Sequence, residues 1–343
     1  MKLFSLFKQE LAIDLGTANT LIIQNGEVVV DEPSIVAINR RSGETIAVGT
    51  KAMQMHEKTH EDIKTIRPLR DGVIADFQAA ENMIKGLINM IGRHKRFFSH
   101  LKMVICIPSG ITEVEKRAVF DSADHVDSKE TYLIHEPMAA ALGIGLDVEE
   151  PIGNMIIDIG GGTTEIAVIA LSGIVCDQSV RIAGDEFTSD IISYMKRQHN
   201  ILIGERTAEK IKINVGSALH ELEDPPEEYA VNGRDLMTGI PKQIKVSYNE
   251  IAHCLDKSIS KIEDAVLKAL ESTPPELASD IYRTGLYLTG GGALLRGLDI
   301  RIAQKTKLPV HIAEDPLRAV VRGTGLALKN SDRYSFLIDR KSV

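Results

Sequence analysis

The sequence predicts an α/β fold built from two similar domains, each with a smaller inserted subdomain. Strand-like apolar runs alternate with helix-like runs along the 343-residue chain, which is typical of buried sheets covered by helices. A strand–turn–strand unit near the N-terminus recurs in the middle of the chain, and two more polar segments interrupt the pattern. The predicted boundaries are 1–149 for the first domain with its subdomain at about 36–68, 150–319 for the second with its subdomain at about 184–249, a closing helix at about 316–330 that returns to the first domain, and a loose tail at 331–343.

The repeated unit is an apolar strand ending in Asp, a turn of small residues, and a second apolar strand. The first copy spans Leu11–Ile23 with Asp14 at the end of its first strand, and the second spans Met155–Ile169 with Asp158 at that position. Both turns contain Gly and Thr. An internal duplication is the simplest explanation, with each domain opening on a hairpin.

Two helix starts are marked by proline. Pro137 follows Glu136 at a position favoured for proline and opens the apolar run Met138–Leu142. The pair Asp315–Pro316 predicts a second helix through Val321, with an acidic cap before the proline.

Glycine-rich and proline-rich segments predict turns elsewhere. A third strand, Leu286–Thr289, is followed by the glycine turn and helix start of Gly290–Gly297. Within the second polar segment, Asp224–Pro226 and Asn232–Gly233 are typical turn sequences. We therefore expect loops at these two places.

Composition excludes several classes of protein. The net charge of −8 argues against a general electrostatic affinity for nucleic acid. No stretch approaches the roughly 18 apolar residues of a spanning helix, and Lys8 interrupts an N-terminus too short for a signal peptide. The cysteines Cys106, Cys176 and Cys254 follow no metal-ligand spacing, and such sparse usage is typical of a reducing compartment. We expect a cytoplasmic protein.

The two small-residue turns predict a split phosphate-binding site. Glycine lets backbone amides approach an anion without a Cβ in the way, and Thr hydroxyls add donors. Asp14 and Asp158 beside the turns could hold Mg²⁺ through its water shell, because Mg²⁺ gives up its waters reluctantly. A Walker loop is absent, and a dinucleotide fingerprint would open a helix, whereas each turn here returns into a strand. Either turn alone could be a structural hairpin, but the pair favours a nucleotide.

Five motifs in order resemble those of the actin, heat-shock chaperone and sugar kinase superfamily. They are Asp14–Thr20 and Asp158–Thr164 for the two phosphate motifs, Glu136–Ala141 and Arg322–Gly325 for the two connecting helices, and Gly290–Arg296 for the adenosine motif. The residues of these motifs, together with the segment Ile66–Phe77, are similar in sequence to the MreB family of bacterial actins in particular. The resemblance covers about residues 9–330. It implies an actin-like ATPase fold of two duplicated ribonuclease H-like domains, with the nucleotide in the cleft between them.

The resemblance also implies a role for each matched residue. Asp14 and Asp158 would organise Mg²⁺, and Glu136 would lie near the attacking water with Thr163 close by. The contacts to ATP would come from Thr17, Ala18, Asn19, Gly160, Gly161, Gly162, Thr163, Gly290, Gly291, Gly292 and Ala293. Eukaryotic actin has glutamine at the position of Glu136 and a lysine in its first loop, which this chain lacks, so the hydrolysis rate of actin does not carry over.

Two of these assignments have a plainer alternative. Glu209 and Lys212 match the family's Glu-x-x-Lys pair near the ribose and base, but residues three apart can also form an exposed salt bridge on a helix. Glu136 could be only an acidic residue favoured at a helix N-terminus. Phosphoryl transfer requires mainly positioning and charge neutralisation, so one oriented carboxylate and Mg²⁺ suffice. We favour the catalytic role for Glu136.

The N-terminus predicts one contact with an anionic membrane. Read as a helix, the first ten residues place Leu3, Phe4, Leu6 and Phe7 on one face and polar residues on the other. This is the layout of a short interfacial helix. Packing of the same side chains onto the protein core is the alternative.

A second predicted membrane contact is the adjacent pair Phe97 and Phe98, which lies among basic residues. Consecutive residues on a helix point about 100° apart, so the two rings would not share one core-facing stripe. A loop that dips both rings into lipid fits better and resembles the hydrophobic loop of the family, although a buried aromatic pair is the alternative.

Several functions could share this nucleotide clamp. A small-molecule kinase would need an acidic base beside a substrate cleft, and no single residue is marked for that role. A chaperone would need a substrate-binding domain after the clamp, and a divisome-type actin would carry a C-terminal membrane helix; neither fits the sequence. We therefore expect a weak ATPase coupled to assembly into homopolymer filaments. The resemblance implies filaments under the inner membrane that organise cell-wall synthesis, with cell-wall elongation membrane proteins as partners, and maintain rod shape.

Overall fold

The computed structural model describes residues 8–92, 100–126, 128–335 and 337–340. The helices are α1 (Thr50–Met55), α2 (Phe77–Met90), α3 (Glu113–Asp124), α4 (Glu136–Gly143), α5 (Gly184–His199), α6 (Glu205–Val215), α7 (Tyr248–Ser272), α8 (Pro275–Thr284), α9 (Leu298–Thr306) and α10 (Ala319–Lys329). The strands are β1 (Lys8–Leu15), β2 (Asn19–Gln24), β3 (Glu27–Pro33), β4 (Val36–Asn39), β5 (Thr45–Val48), β6 (Ile63–Ile66), β7 (Leu69–Arg70), β8 (Val73–Ile74), β9 (His100–Ile107), β10 (Ser128–His135), β11 (Asn154–Ile159), β12 (Thr164–Ala170), β13 (Gly173–Val180), β14 (Ile201–Leu202), β15 (Tyr229–Asp235), β16 (Pro241–Val246), β17 (Leu286–Thr289), β18 (Val310–Ile312) and β19 (Asp339–Arg340).

The first large sheet has six strands in the order β19-β10-β9-β1-β2-β3. Strands β1, β9 and β10 run parallel, and β1 and β2 form the predicted antiparallel hairpin. Successive side chains of a strand face opposite sides, so Leu11 and Ile13 pack with α2 and α3, whereas Ala12 packs with α4 and α10. A small sheet, β5-β4-β6, lies within the first predicted subdomain.

The second large sheet has five strands in the order β13-β12-β11-β17-β18. Strands β11 and β12 form the second predicted antiparallel hairpin, and β17 runs parallel to β11. One face packs on α5 and α7, and the other, through Ile156 and Ala167, joins the same core as α4 and α10. Strands β11 and β12 are covered on both faces, which explains their nearly continuous apolar sequence. The sheet β14-β15-β16 lies in the second polar segment.

Helices α4 and α10 lie between the two large sheets and cross in backbone contact. An added Cβ on Gly143 would overlap the carbonyl oxygen of Ala319, and one on Gly323 would overlap that of Ala139. Only glycine allows such an approach at these two positions. The two predicted connecting helices therefore meet where the halves of the molecule join.

The predicted helix start at Asp315–Pro316 is wrong in detail. Pro316–Arg318 form a short 3₁₀ helix, Asp315 makes no side-chain cap, and α10 begins only at Ala319. The carbonyl oxygen of Pro316 accepts a hydrogen bond from the N–H of Gly290 at 2.9 Å. That bond ties the segment to the glycine-rich turn after β17, and an α-helical start would compete for the same oxygen.

The turn predicted at Asn232–Gly233 is also wrong, because both residues lie inside β15. The glycine is needed there since an added Cβ would lie 2.7 Å from the carbonyl oxygen of Leu202 on the neighbouring strand. The turn follows Asp235 instead, whose Oδ1 accepts hydrogen bonds from the N–H groups of Met237 and Thr238. Asp is common at the start of a turn, but the Asn–Gly pair just before it in the sequence led to the wrong position.

The loose tail predicted for 331–343 is wrong for its described residues. Strand β19 pairs with β10 at the edge of the first sheet, and Ile338 is buried in the core with α4 and α10. Lys102 donates a hydrogen bond to Ser331 at 2.7 Å. Both a buried apolar residue and polar contacts therefore hold this segment against the first sheet. The remaining domain boundaries stay predictions.

Candidate functional site

The two repeated turns face each other where the halves of the molecule meet, at the base of the predicted nucleotide cleft. An added Cβ on Gly161 would lie 2.7 Å from the Cβ of Ala18, and one on Gly162 would lie 2.7 Å from Oγ1 of Thr17. The hydroxyl of Thr17 also accepts a hydrogen bond from the N–H of Gly72 at 3.0 Å. Glycine on one side is therefore what allows the turns to come this close.

Carbonyl groups of both turns accept hydrogen bonds from neighbouring segments. In the first turn, the hydroxyl of Ser34 donates to the carbonyl oxygen of Gly16 at 2.6 Å, and the N–H of Ser34 donates to that of Ala18 at 2.9 Å. In the second, the N–H groups of Gly184 and Asp185 at the start of α5 donate to the carbonyl oxygens of the turn's first two glycines, at 3.2 and 2.8 Å.

The amide groups of the turns are left as donors. Within the described part of the chain, the N–H groups of Thr17, Ala18, Gly161 and Gly162 make no hydrogen bond. Paired arrays of free amides beside a cleft form an anion-binding concavity. These are four of the residues that the sequence assigned to phosphate contact. Asn19, which follows in the first turn, begins β2 and is exposed.

Two carboxylates stand at the ends of the strands that lead into the turns. Asp158 accepts a hydrogen bond from the hydroxyl of Thr289 at 2.8 Å, and Asp14 accepts one from the thiol of Cys106 at 3.2 Å. Burial raises the pKa of Asp14 to about 6 and that of Asp158 to about 7, and the charge of Asp14 contributes to the raised pKa of Asp158. A bound cation would relieve this cost of burying two charges.

The donor set fits Mg²⁺. Carboxylate oxygens are ligands that Mg²⁺ prefers, and the ion usually keeps several waters while one or two carboxylates and substrate phosphates hold it. No group of three or more His, Cys, Asp or Glu side chains encloses a metal site in the described ranges. Asp14 and Asp158 would thus hold the ion together with water and phosphate.

Glu136 begins α4 and belongs to the same group of acidic side chains. Burial raises its pKa well above the usual range, and the charges of Glu165, Asp158 and Asp14 raise it further. The residue keeps part of its surface exposed at the cleft. Helix α4 follows β10 directly, and Pro137 lies in its first turn, as predicted. Thr163 is buried on the opposite side, where a Cβ on Gly72 would lie 3.0 Å from its methyl group.

The sequence interpretation missed Glu165, which is fully buried in β12. Its carboxylate accepts hydrogen bonds from the hydroxyl of Ser179 at 2.6 Å and from the N–H of Ser109, in the other half of the molecule, at 3.1 Å. Burial raises its pKa, and these two bonds act in the opposite direction. A charged residue inside an apolar strand was the available signal. Cys106, to which the sequence assigned no functional role, also lies at the site through its hydrogen bond to Asp14.

Glu209 and Lys212 on α6 lie beside the second turn. They form the i, i+3 salt bridge at 2.7 Å, so the plainer alternative is present. The pair is docked rather than free, because the amine of Lys212 also donates to the carbonyl oxygen of Gly184 at 2.8 Å and Thr188 donates to Glu209 at 2.9 Å. Both roles of the pair are compatible with this position.

The glycine-rich turn after β17 packs on the end of β11. Gly290 has φ 78°, and an added Cβ would lie 2.7 Å from Oδ1 of Asp158. An added Cβ on Gly292 would lie 2.7 Å from the Cβ of Ile159, while Ala293 is buried and Gly291 stands beside Leu317. The segment predicted to contact adenosine is therefore held next to Asp158.

The predicted membrane contacts cannot be placed in the same way. Leu3, Phe4, Leu6, Phe7, Phe97 and Phe98 lie outside the described residues. Among the helices that the structure describes, none combines the length and apolar character required to cross a bilayer.

Comparison with known proteins gives consistent matches along the chain. The profile of the MreB/Mbl protein family matches residues 8–335. The chain is 46% identical over 329 residues to the cell shape-determining protein Mbl of Bacillus subtilis, covering 96% of this chain and 98% of that protein. It is 47% identical over 338 residues to the cell shape-determining protein MreB of Escherichia coli, covering 97% of each.

Solved structures match the chain as well, at lower sequence identity. MreB5 of Spiroplasma citri bound to AMPPNP superposes with a TM-score of 0.89 at 39% identity, covering 96% of this chain and 98% of that one. The MamK double helical filament superposes with a TM-score of 0.78 at 20% identity, covering 95% and 99%, which is a likeness of fold alone.

Proposed function

The chain belongs to the MreB/Mbl protein family, and from this premise we propose that it is an ATP-binding, ATP-hydrolysing filament protein that acts at the membrane in maintaining cell shape. The family match agrees with the resemblance read from the motifs, and the fold is the actin-like ATPase fold. The relatives Mbl and MreB are cell shape-determining proteins, so cell shape is the process in which this chain takes part.

The observation that carries the nucleotide assignment is the pair of facing turns with free amides. Their donors would hold the phosphates from both sides, and the segment from Gly290 to Ala293 would lie along the adenosine. A structural neighbour, MreB5 of Spiroplasma citri, binds AMPPNP, which supports this placement. Glu209 and Lys212 would reach the ribose and base from α6.

For hydrolysis, we assign Glu136 to orient the attacking water and accept its proton. Thr163 would position the same water from the opposite turn. Bound Mg²⁺ would neutralise charge on the phosphates, with Asp14 and Asp158 holding its water shell. Glu136 can accept a proton only when ionised, and bound Mg²⁺ would favour that form against the burial that opposes it. We propose a weak ATPase, as the family resemblance implies.

The proposed partners are further copies of this chain and the anionic inner surface of the cell membrane. Self-assembly is supported by the actin-like filament of a protein with the same fold. For the membrane, the support is the amphipathic pattern of residues 1–10 and the basic surroundings of Phe97 and Phe98. Cell-wall elongation membrane proteins are proposed as partners from the family resemblance. Nothing in the family match or the named relatives supports a small-molecule kinase.

Sedimentation of the purified protein tests this proposal. With ATP and Mg²⁺, the protein should pellet as filaments, and anionic liposomes should increase the pelleted fraction. Replacing both Phe97 and Phe98 with Ser should weaken the lipid-dependent part and leave ATP binding intact. A protein that binds ATP yet remains soluble and monomeric in every condition would contradict the filament assignment.

A further inference from the structure

Five side chains connect the two halves of the molecule above the phosphate turns. Arg67, after β6, pairs with Asp185 at 3.2 Å and with Glu205 at 3.5 Å. His56, after α1, lies 3.3 Å from the same carboxylate of Glu205. With Glu57 they form what we name the cleft bridge: His56, Glu57 and Arg67 from the first half, and Asp185 and Glu205 from the second.

The bridge includes a helix cap supplied from the opposite half. Helix α6 starts after Gly204, which has no side chain to cap it. Glu57 fills this role, because its Oε1 accepts a hydrogen bond from the N–H of Glu205 at 3.1 Å and its carboxylate lies so close to Gly204 that an added Cβ would overlap it. The first N–H groups of a helix need such external acceptors.

Glu57 also has an unusual backbone. Its φ of 61° lies in the left-handed region, which residues other than glycine seldom adopt. Backbone strain of this kind persists only where surrounding contacts hold it, and it concentrates at clamps and switches. At Glu57, the turn over residues 55–58 holds this conformation through a hydrogen bond from the N–H of Lys58 to the carbonyl oxygen of Met55 at 3.0 Å. The turn presents the carboxylate of Glu57 to α6, in the other half of the molecule.

The two acidic members from the second half, Asp185 and Glu205, stand at the start of helices that touch the proposed nucleotide site. The N–H of Asp185 donates to the carbonyl oxygen of Gly161 in the second turn at 2.8 Å. Glu205 begins α6, which carries Glu209 and Lys212. Negative side chains are favoured at helix starts, and Arg67 is the cation that both of them share. A displacement of Arg67 would therefore act on α5 and α6 together.

We propose that Arg67 and Glu57 are positioning residues for the nucleotide, which hold α5 and α6 across the cleft and so slow its release. The inference rests on the proposed binding of ATP. The bridge should not affect the chemical step of hydrolysis, because none of its five members is one of the carboxylates beside the phosphate turns. Loss of the bridge should accelerate nucleotide exchange and leave hydrolysis of bound ATP nearly unchanged.

The test is the release rate of a fluorescent ADP analogue, mant-ADP, chased with excess unlabelled ATP in a stopped-flow instrument. Arg67→Met keeps the apolar stem of the side chain and removes the charge. We expect release about fivefold faster, which corresponds to about 1 kcal/mol at 25 °C. Glu57→Gly should also accelerate release, because it removes the cap although it relieves the backbone. Single-turnover hydrolysis of bound ATP should change by less than about twofold in both variants.

A matched control comes from the same small subdomain. Arg41 pairs with Asp62 at 2.7 Å but is 79% exposed, compared with 26% for Arg67, and it does not reach the second half. Arg41→Met should leave release at the wild-type rate. The double variant of Arg67→Met and Glu205→Gln should release no faster than the Arg67 variant alone if the two side chains act as one pair.

The outcomes separate this inference from the proposed function. If the wild-type protein does not bind mant-ADP at all, nucleotide binding itself is refuted, and the inference falls with it. If the wild type binds and the Arg67 and Glu57 variants release at the wild-type rate, the inference alone is overturned. A lower melting temperature without faster release would also overturn it, because that result describes a purely structural ion pair.

Discussion

At the scale of single residues, the site depends on carboxylates buried close to one another. Asp14, Asp158, Glu136 and Glu165 all have raised pKa values, with burial as the largest cause in each case. Groups with pKa values raised in this way concentrate at functional sites, because ordinary packing would exclude several like charges from one place. Their roles differ by position: two end the strands before the turns, one begins α4, and one ties β12 to the loop after β9.

Glu136→Gln should abolish most hydrolysis while preserving nucleotide binding. The amide occupies the same volume but cannot accept a proton, and general-base catalysis contributes roughly 10²–10⁴-fold. We expect kcat to fall by at least about 100-fold, with mant-ADP affinity changed by less than about threefold. Glu27→Gln, which neutralises an exposed carboxylate on β3, is the control and should behave as wild type. Retained hydrolysis in the Glu136 variant would assign the proton acceptor to another residue.

The same residue should make the nucleotide-free protein less stable as pH rises. Its pKa is raised on folding, so folding favours the protonated form. The favourable contribution is complete below the pKa of the unfolded chain and is lost as pH passes through the folded-state pKa. If the pKa values of the folded and unfolded states differ by one, the free energy of unfolding changes by about 1.4 kcal/mol across that range.

Thermal unfolding in EDTA, from pH 5.5 to 8.5, measures this effect. The difference in melting temperature between Glu136→Gln and the wild type should grow as pH rises towards the folded-state pKa of Glu136, with Glu27→Gln measured alongside as the control. A constant difference for Glu136→Gln would mean that the carboxylate is ionised at no cost in the folded protein.

The positions of the two aspartates could be predicted because the chain repeats itself. Asp14 and Asp158 end corresponding strands of the two hairpins, so each supports the interpretation of the other. Glu165 has no such counterpart, since the matching position of the first hairpin is Leu21. Its acceptor role depends on Ser109, which is brought to it by the packing of the two halves. Contacts of that kind are decided by tertiary structure.

At the scale of elements, the crossing of α4 and α10 is the most constrained contact between helices. Gly143→Ala should destabilise the protein, because the new Cβ would overlap the carbonyl oxygen of Ala319 and backbone cannot rotate away as a side chain can. Overpacking typically costs about 1–3 kcal/mol, and alanine's higher helix propensity offsets at most about 1 kcal/mol.

Gly325→Ala on α10 is the matched control for that substitution. An added Cβ there meets only the side chain of Ile23, at 3.4 Å, which is ordinary contact. We expect Gly325→Ala to be neutral or stabilising in urea unfolding and Gly143→Ala to lower the free energy of unfolding by about 2 kcal/mol or more. Equal effects of the two substitutions would show that the helices can separate slightly at no cost.

Element starts were predictable where a local signal had no competitor. Pro137 opens α4 as expected, and among the described residues no group outside the helix donates a hydrogen bond to its carbonyl oxygen. The equally clear signal at Asp315–Pro316 failed, since the carbonyl oxygen of Pro316 is bound to Gly290. Gly290, which lies 26 positions before Pro316 in the chain, thus decides the conformation at Pro316. No local sequence pattern could indicate this.

At the scale of the whole molecule, the duplicated hairpins predicted a two-part fold with facing turns, but not how the parts are joined. The cleft bridge connects residues 118 and 149 positions apart. None of its members stands in one of the five nucleotide motifs, although Arg67 falls within the family-like segment Ile66–Phe77. An Arg or Glu in a polar segment is ordinary surface in sequence terms. Long-range ion pairs of this kind become visible only in the folded structure.

Filament assembly requires a surface that a copy of the chain can cover, and one apolar turn is prominent. Between β15 and β16, Met237 is 83% exposed and Ile240 is 64% exposed. Neighbouring apolar residues exposed to this degree often mark protein contacts. In a filament the contact is head-to-tail, so the turn of one copy would meet a different surface of the next.

Met237→Asp should therefore impair assembly without affecting nucleotide binding. Placing a charge in a contact that excludes water costs about 1–3 kcal/mol or more, and about 1.4 kcal/mol raises the critical concentration about tenfold. Val114, which is 80% exposed on α3, provides the control, and Val114→Asp should pellet as wild type with ATP and Mg²⁺. If both variants pellet normally while binding mant-ADP, the turn lies outside the filament contact. If only Val114→Asp fails, the contact runs through α3 instead, on the other half of the molecule.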